Sequence, residues 1–254
     1  MFPTLIKIGP IAIRSYGLMI AIGLFAALQY LLVKGRKAGI PENNITDIAL
    51  YLVVSGLVGA RVVYVLTNFK FYFLNPADIL KIWEGGLVFY GGLIAGVIAL
   101  VIYVRINKAI DFWKLGDLLA PAISLAHVFG RIGCLLAGCC YGKPSMLPWA
   151  VKYSNPESLA PLNVCLHPAQ LYESAGNLAV FFALDRFNKT EHKKGQTVFL
   201  YMFLYGVLRF VVEFFRGDDR GERLFFLSQG QVISLLLIAA ALIAYFYSVK
   251  QNKE

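Results

Sequence analysis

Charge is scarce in this chain: Asp, Glu, Lys and Arg make up 15% of its 254 residues against 58% hydrophobic residues, and the mean hydropathy is +0.64. That balance excludes an ordinary soluble domain, and no stretch is polar enough to fold as one beside the apolar runs. The chain therefore reads as a single transmembrane domain over residues 1–254. The first apolar run also lacks the charged start and small-residue cleavage site of a removable signal peptide, since MFPTLIKIGPIAIRSYG leads straight into it. It is expected to stay in the mature protein. Neither an aromatic-basic platform nor a groove-reading helix is present, so the net charge of +9 does not point to nucleic acid. Inverted repeats and paired broken helices, the marks of a transporter, are missing as well.

What the chain does have is apolar length. Runs able to cross roughly 30 Å of hydrocarbon, about 20 residues each, begin near Tyr16, Ile45, Leu87, Leu115, Leu171, Thr197 and Gln231. The expectation is an all-α, polytopic integral membrane protein with seven transmembrane helices. The fifth is the weakest: LYESAGNLAVFFAL is short and opens on Tyr172 and Glu173, so it must start higher, near His167, or be sheltered by protein.

Short connections carrying Lys34, Arg36 and Lys37, then Arg105, Lys108 and Lys114, then Arg186, Lys189, Lys193 and Lys194, with Lys250 and Lys253, are the denser basic side. Lys7, Arg14, Lys70, Lys81, Lys143, Lys152, Arg216, Arg220 and Arg223 lie opposite, sharing their segments with acids such as Asp218 and Glu222. The positive-inside rule puts the N-terminus outside and the C-terminus in the cytoplasm. An anionic inner leaflet then accounts for the positive charge. The two longer connections, Thr67 to Gly86 and Gly138 to Gln170, face outward as candidate lids or docking surfaces.

Two arginines fall inside these runs: Arg131 in HVFGRIGCLLAGCCYG and Arg209 in YMFLYGVLRFVVEFF. A guanidinium does not shed its charge and costs several kcal/mol in hydrocarbon, so its presence points to anionic chemistry. Arg131 is flanked by Gly130 and Gly133, which leaves its head group free for a phosphate or carboxylate; an ion pair with Asp117, Glu173 or Glu213 is the plainer alternative. Arg209, Glu213 and Arg216, spaced by four and three, share one helical face as an Arg-Glu-Arg ladder. In LHPAQLYES, His167 precedes the helix-starting Pro168 as a base, a phosphate donor or a capping group, and Gln170 and Glu173 form a polar stripe entering the membrane beside Tyr172. Two Gly-Gly pairs bracket Tyr90 in EGGLVFYGGLIAG, where backbones or a ligand approach closely.

IAIRSYGLMIAIG, GARVVYVL, FYGGLIAG, GRIG, HPAQLYE and RFVVEFFR, in this order over nearly the whole chain, resemble the prolipoprotein diacylglyceryl transferase family of the bacterial inner membrane. The resemblance implies a transferase of lipoprotein biosynthesis that needs no cofactor. Its substrates would be phosphatidylglycerol, a membrane lipid, and the lipobox cysteine in the signal peptide of a preprolipoprotein. On that reading Arg131 and Arg209 handle the lipid phosphate, Tyr16 is the family's first-span tyrosine, and Glu213 pairs with the second arginine. Tyr90 and His167 join the arginines as catalytic candidates, and Gln170, Tyr172, Glu173 and Arg216 complete the substrate-binding set. A divergent member with another acceptor, or a non-catalytic lipid- or anion-binding relative, is the alternative.

The departures bear on mechanism. Tyr90 stands where better-known members carry a histidine, and GRIGCLLAGC stands for GRIGNFINGE, so Cys134 replaces an asparagine and Cys139 a glutamate. A histidine base is therefore not carried over, and Tyr90 is a poor base unless an arginine acidifies it. Cys134, Cys139, Cys140 and Cys165 all fall on the outer side, where Cys139 or Cys140 to Cys165 is a possible disulfide and apolar packing the plain reading. Adjacent Cys139 and Cys140 lack the usual spacing of metal ligands, so no metal site is expected.

Overall fold

The computed structural model describes residues 1–8, 11–108, 110–219 and 226–250. Among the charges counted above, Arg220, Glu222, Arg223 and Lys253 lie outside the described residues. A hairpin of β1 (Thr4–Ile8) and β2 (Ile11–Arg14) leads into α1 (Ser15–Lys37). Ser15 is fully buried, and its amide and hydroxyl both donate to the carbonyl of Pro3, so the hairpin satisfies the first donors of the helix. There follow α2 (Glu42–Thr67), the short α3 (Phe69–Leu74), α4 (Phe89–Ile106) and α5 (Phe112–Ala137). A two-residue ladder of β3 (Val151–Lys152) and β4 (Cys165–Leu166) precedes α6 (Ala169–Phe187), α7 (Gln196–Glu213) and α8 (Gln229–Lys250).

Each long helix starts within three residues of its expected position. Six of them, α1, α2, α4, α5, α7 and α8, are long and apolar enough to cross a membrane. The seventh, α6, has 19 residues but owes its lower hydropathy to Gln170, Glu173, Ser174 and Asn177, all buried inside the protein. It begins just after Pro168, as its polar opening required. Large apolar side chains such as Phe25, Leu50, Ile94, Leu236 and Ile243 point outward, an arrangement suited to lipid rather than water.

The chain divides into two compact units, one of Met1–Tyr30 with Gly116–Glu254 and one of Leu31–Leu115. In the second, α2 and α4 are packed at backbone distance: a Cβ on Gly91 would fall 2.4 Å from the Gly59 carbonyl oxygen, and one on Gly92 2.8 Å from that of Gly56. The glycines after Tyr90 therefore serve close helix packing. The Thr67–Gly86 connection is filled by α3 and two 3-10 turns, pinned by Arg61 of α2. Its Nε donates to Ile79 O (2.9 Å), Nη1 to Gly85 O and Gly86 O (2.7 and 3.1 Å), and Nη2 to Asp78 O and Lys81 O (2.6 and 3.3 Å). All five guanidinium donors are thereby spent on backbone carbonyls.

In the first unit, side-chain hydroxyls join α5 to α6: Ser124 donates to Asn177 O at 2.9 Å and Ser174 to Val128 O at 3.0 Å. A core of Ala120, Val180 and Leu184 lies against Leu200, Tyr201, Leu204 and Leu208 of α7. Gly206 lets α8 in, with Ile238 Cγ1 2.7 Å from where its Cβ would stand. The connection from Gly138 to Gln170 is an ordered cap with its own small core of Tyr153, Ala160 and Leu166. Backbone bonds from Lys143 to Phe215 O and from Gly217 to Tyr141 O tie it to the segment after α7.

Candidate functional site

Three helices of the first unit deliver charge to one buried place. Arg131 comes from α5, Glu173 from α6, and Arg209 and Glu213 from the last two turns of α7. Glu173 is the hub: its Oε1 lies 3.0 Å from Arg131 Nη2, and its Oε2 lies 3.4 Å from Arg209 Nη1 and 3.6 Å from Arg216 Nη1. Of the three carboxylates considered as partners for Arg131, the structure selects Glu173. Asp117 sits about 21 Å earlier along α5 at 1.5 Å per residue, where it accepts from Gly195 N and Val198 N at the start of α7.

Glu213 Oε2 lies 2.7 Å from Arg209 Nη2, its Oε1 accepts from the Ser228 hydroxyl at 3.0 Å, and its carboxylate abuts Gly230 in the first turn of α8. A negative charge there is favoured by the helix dipole. The expected ladder needs correction at its third member. The helix ends at Glu213, so Arg216 leaves the shared face, and its Nε is only within 4.0 Å of Glu213. Instead Arg216 makes a forked pair with Asp218, at 2.9 and 2.7 Å, and its backbone bridges to Gly142. Burial works against its charge, but the bonds to Asp218 and Cys140 keep the guanidinium protonated well above the usual range.

The three arginines differ in access. Side-chain exposure is 20% for Arg131, 11% for Arg209 and 3% for Arg216. The near oxygens Glu173 Oε1 and Glu213 Oε2 sit at ion-pair distance yet accept no aligned hydrogen bond. The facing guanidinium N–H groups of Arg131 and Arg209 thus point partly elsewhere.

Tyr16, the second residue of α1, lies over the α5 turn that carries Arg131: a Cβ on Gly133 would meet its Cδ2 at 3.2 Å. Gln170 is buried, and its Nε2 donates to Cys139 O at 2.7 Å and to the Tyr153 hydroxyl at 3.2 Å. His167 and Tyr172 form a separate group. The His167 Nδ1 is 3.3 Å from the Tyr172 hydroxyl, both rings pack on Phe215, and Trp149 Nε1 donates to Tyr172 at 2.8 Å. Tyr90 belongs to the second unit, in the first turn of α4, 52% exposed and edge-on to Phe89.

Sequence reading missed a polar aromatic strip behind Arg131. His127, one turn earlier on α5, stacks on Tyr205 with centroids 5.5 Å apart and faces the Tyr201 hydroxyl at 3.5 Å, while the Tyr205 hydroxyl lies within the electrostatic reach of Arg131. The four-residue step from His127 to Arg131 was the available signal. Arg61, a third arginine inside an apolar span, was also overlooked; its donors are all satisfied internally.

The cysteines depart from the disulfide expectation. No two of the four cysteines are joined by a disulfide; Cys165 is exposed on β4, whereas Cys139 and Cys140 turn back toward Cys134. The Cys139 thiol faces the Cys134 carbonyl at 3.8 Å, and the positive charge of Arg216 acts on the Cys140 thiol.

The statistical model of the prolipoprotein diacylglyceryl transferase family matches residues 3–247. A Clostridium tetani protein named phosphatidylglycerol–prolipoprotein diacylglyceryl transferase is 39% identical over 245 residues, covering 96% of this chain and 97% of its own. The second such transferase of Clostridium perfringens is 35% identical over 243 residues, covering 95% and 94%. The Clostridioides difficile transferase is 34% identical over 244 residues, covering 96% and 94%.

Proposed function

The chain belongs to the prolipoprotein diacylglyceryl transferase family, and on that premise we propose that Arg131 receives the phosphate of phosphatidylglycerol while Glu173 and Arg209 hold it in place. The protein is a multi-pass membrane transferase of lipoprotein biosynthesis. It moves a diacylglyceryl group from phosphatidylglycerol to a prolipoprotein.

The acceptor is the thiol of the lipobox cysteine in the prolipoprotein's signal peptide. Sulfur attacks the glyceryl carbon, the carbon–oxygen bond to phosphate breaks with its electron pair on oxygen, and glycerol phosphate leaves. Negative charge grows on the phosphate ester as that bond lengthens, so donors already aimed at it lower the barrier. The observation that carries this reading is the gradient of access in the arginine cluster: Arg131 keeps 20% side-chain exposure amid buried charges, with N–H directions not used up by Glu173.

Glu213 fixes Arg209, and Arg216, committed to Asp218, supports the cluster's field. Tyr16 bounds the lipid head group beside Arg131, and Gln170 holds the Cys139 corner in place. His167 and Tyr172 attend the thiol side, with the thiol proton passing to His167 or the departing phosphate. The enzyme resides in the bacterial inner membrane, N-terminus outside and C-terminus cytoplasmic.

The test is incubation of the purified protein with a lipobox peptide in phosphatidylglycerol micelles. A diacylglyceryl mass gain on the cysteine, abolished by Arg131→Ala in folded protein, is the expected result. No gain from folded wild-type protein with this donor and acceptor would overturn the assignment.

A further inference from the structure

Beside the arginine cluster, the described residues bring three thiols together. The sulfurs of Cys134, in the last turn of α5, and of Cys139 and Cys140, just beyond it, all lie within 4.8 Å of one another. Spacing along the sequence counted against such a meeting; two reversals of the backbone produce it. Gly138 has φ 81° and Cys140 φ 60°. The left-handed region costs a residue with a side chain roughly 1 kcal/mol or more, so the fold retains strain at Cys140 where its thiol meets the other two. The corner is fixed from outside by Gln170 on Cys139 O, and from inside by the Cys139 thiol facing Cys134 O at 3.8 Å. Cys134 is buried and the other two half-buried, so the sulfurs are shielded but reachable.

We propose that Cys134, Cys139 and Cys140 are a binding site for a thiophilic closed-shell metal ion, Zn2+ or Cu+. Three thiolates are the donor set such ions take in preference to Mg2+ or Ca2+. With metal–sulfur bonds of about 2.3 Å, sulfurs sharing one ion stand roughly 4 Å apart, so the observed separations need only a small contraction. A disulfide would bring two sulfurs to about 2.05 Å and leave the third unused. Binding releases the three thiol protons and leaves a centre of negative charge. Two cations are near enough to act on these thiols electrostatically: Arg216 on Cys140, and Arg131, three residues before Cys134 on α5. With Zn2+ the fourth position is open to water. The site stands independently of the transferase assignment, since it rests on the thiols alone.

The experiment uses the full chain in detergent, reduced, then equilibrated with Zn2+ or, without oxygen, with Cu+, and metal per chain is measured by mass spectrometry. One equivalent of at least one ion is expected, lost in the Cys134→Ser, Cys140→Ser double variant and kept in Cys165→Ser. A second readout needs no variant: the bound ion should slow alkylation of the three clustered thiols at least tenfold and leave exposed Cys165 unaffected. Failure of both ions to bind stoichiometrically, metal that persists without the thiols, or a disulfide within the trio that forms in their presence would overturn the site.

Discussion

Arg131 and Glu173 face each other across α5 and α6 at 3.0 Å, and the same carboxylate takes Arg209 and Arg216 on its other oxygen. Glu173 is almost wholly buried, so three guanidinium groups depend on one desolvated charge. Removing one partner of a buried pair costs about 3–5 kcal/mol because the other charge is left uncompensated. Glu173→Gln keeps the shape and removes the charge. It should lower the unfolding temperature in detergent and the transferase rate, both by more than Glu213→Gln does. A Glu213 variant with the larger loss in both would move the hub to α7.

Charge alone does not make Arg131 effective. Arg131→Lys keeps the cation and loses the planar fork, so it should reduce kcat/KM about 100-fold or more while leaving the unfolding temperature nearly unchanged. Arg216→Lys should behave in the opposite sense. Its forked pair with Asp218 and its contact with Cys140 are internal, so stability falls and the residual rate per folded molecule stays high. Rates and melting curves on the same preparations decide the matter, and equal effects at both positions would contradict the division of roles.

Arg61 is the counter-example to reading every intramembrane arginine as a ligand site. Its donors end on the carbonyls of Asp78, Ile79, Lys81, Gly85 and Gly86, and its guanidinium lies over Tyr64 and Tyr72 at 5.7 and 5.3 Å. Lysine offers three donors in place of five, so Arg61→Lys leaves carbonyls unpaired at about 1–3 kcal/mol for each one kept from water. The expected effect is faster proteolysis within Asp78–Gly86. An unchanged cleavage pattern would mean that the turns hold themselves.

The positions of the helices were legible because each span is a long apolar run bounded by charge, and even the polar start of α6 pointed to protein shelter. Which residues pair was not legible. Arg131 had three carboxylates in reach of a sequence argument, and only the packing of α6 between α5 and α7 singles out Glu173. Arg216 looked like a helix-face residue because spacing does not reveal that α7 stops at Glu213. The thiol trio was hidden for a similar reason: it depends on positive φ at Gly138 and Cys140, and a cysteine gives no sign that it will adopt one. The family resemblance, by contrast, rested on six motifs in order, and the match over residues 3–247 bears it out.

Tyr153 offers a pH test of the cap over these residues. It is buried between Ala160 and Leu166, and burial pushes its phenol up to about 12, only partly offset by the hydrogen bond from Gln170. An unfolded tyrosine gives up its proton near 10. Between those values the folded chain holds a proton that the unfolded chain has lost, so stability conferred below pH 10 drains away as pH rises toward 12. Tyr153→Phe has no proton to lose. It should start less stable, through the lost bond to Gln170, and then show a shallower decline over pH 10 to 12 when unfolding is followed by tryptophan fluorescence. A wild-type and variant decline of equal slope would show that Tyr153 ionises without opening the cap.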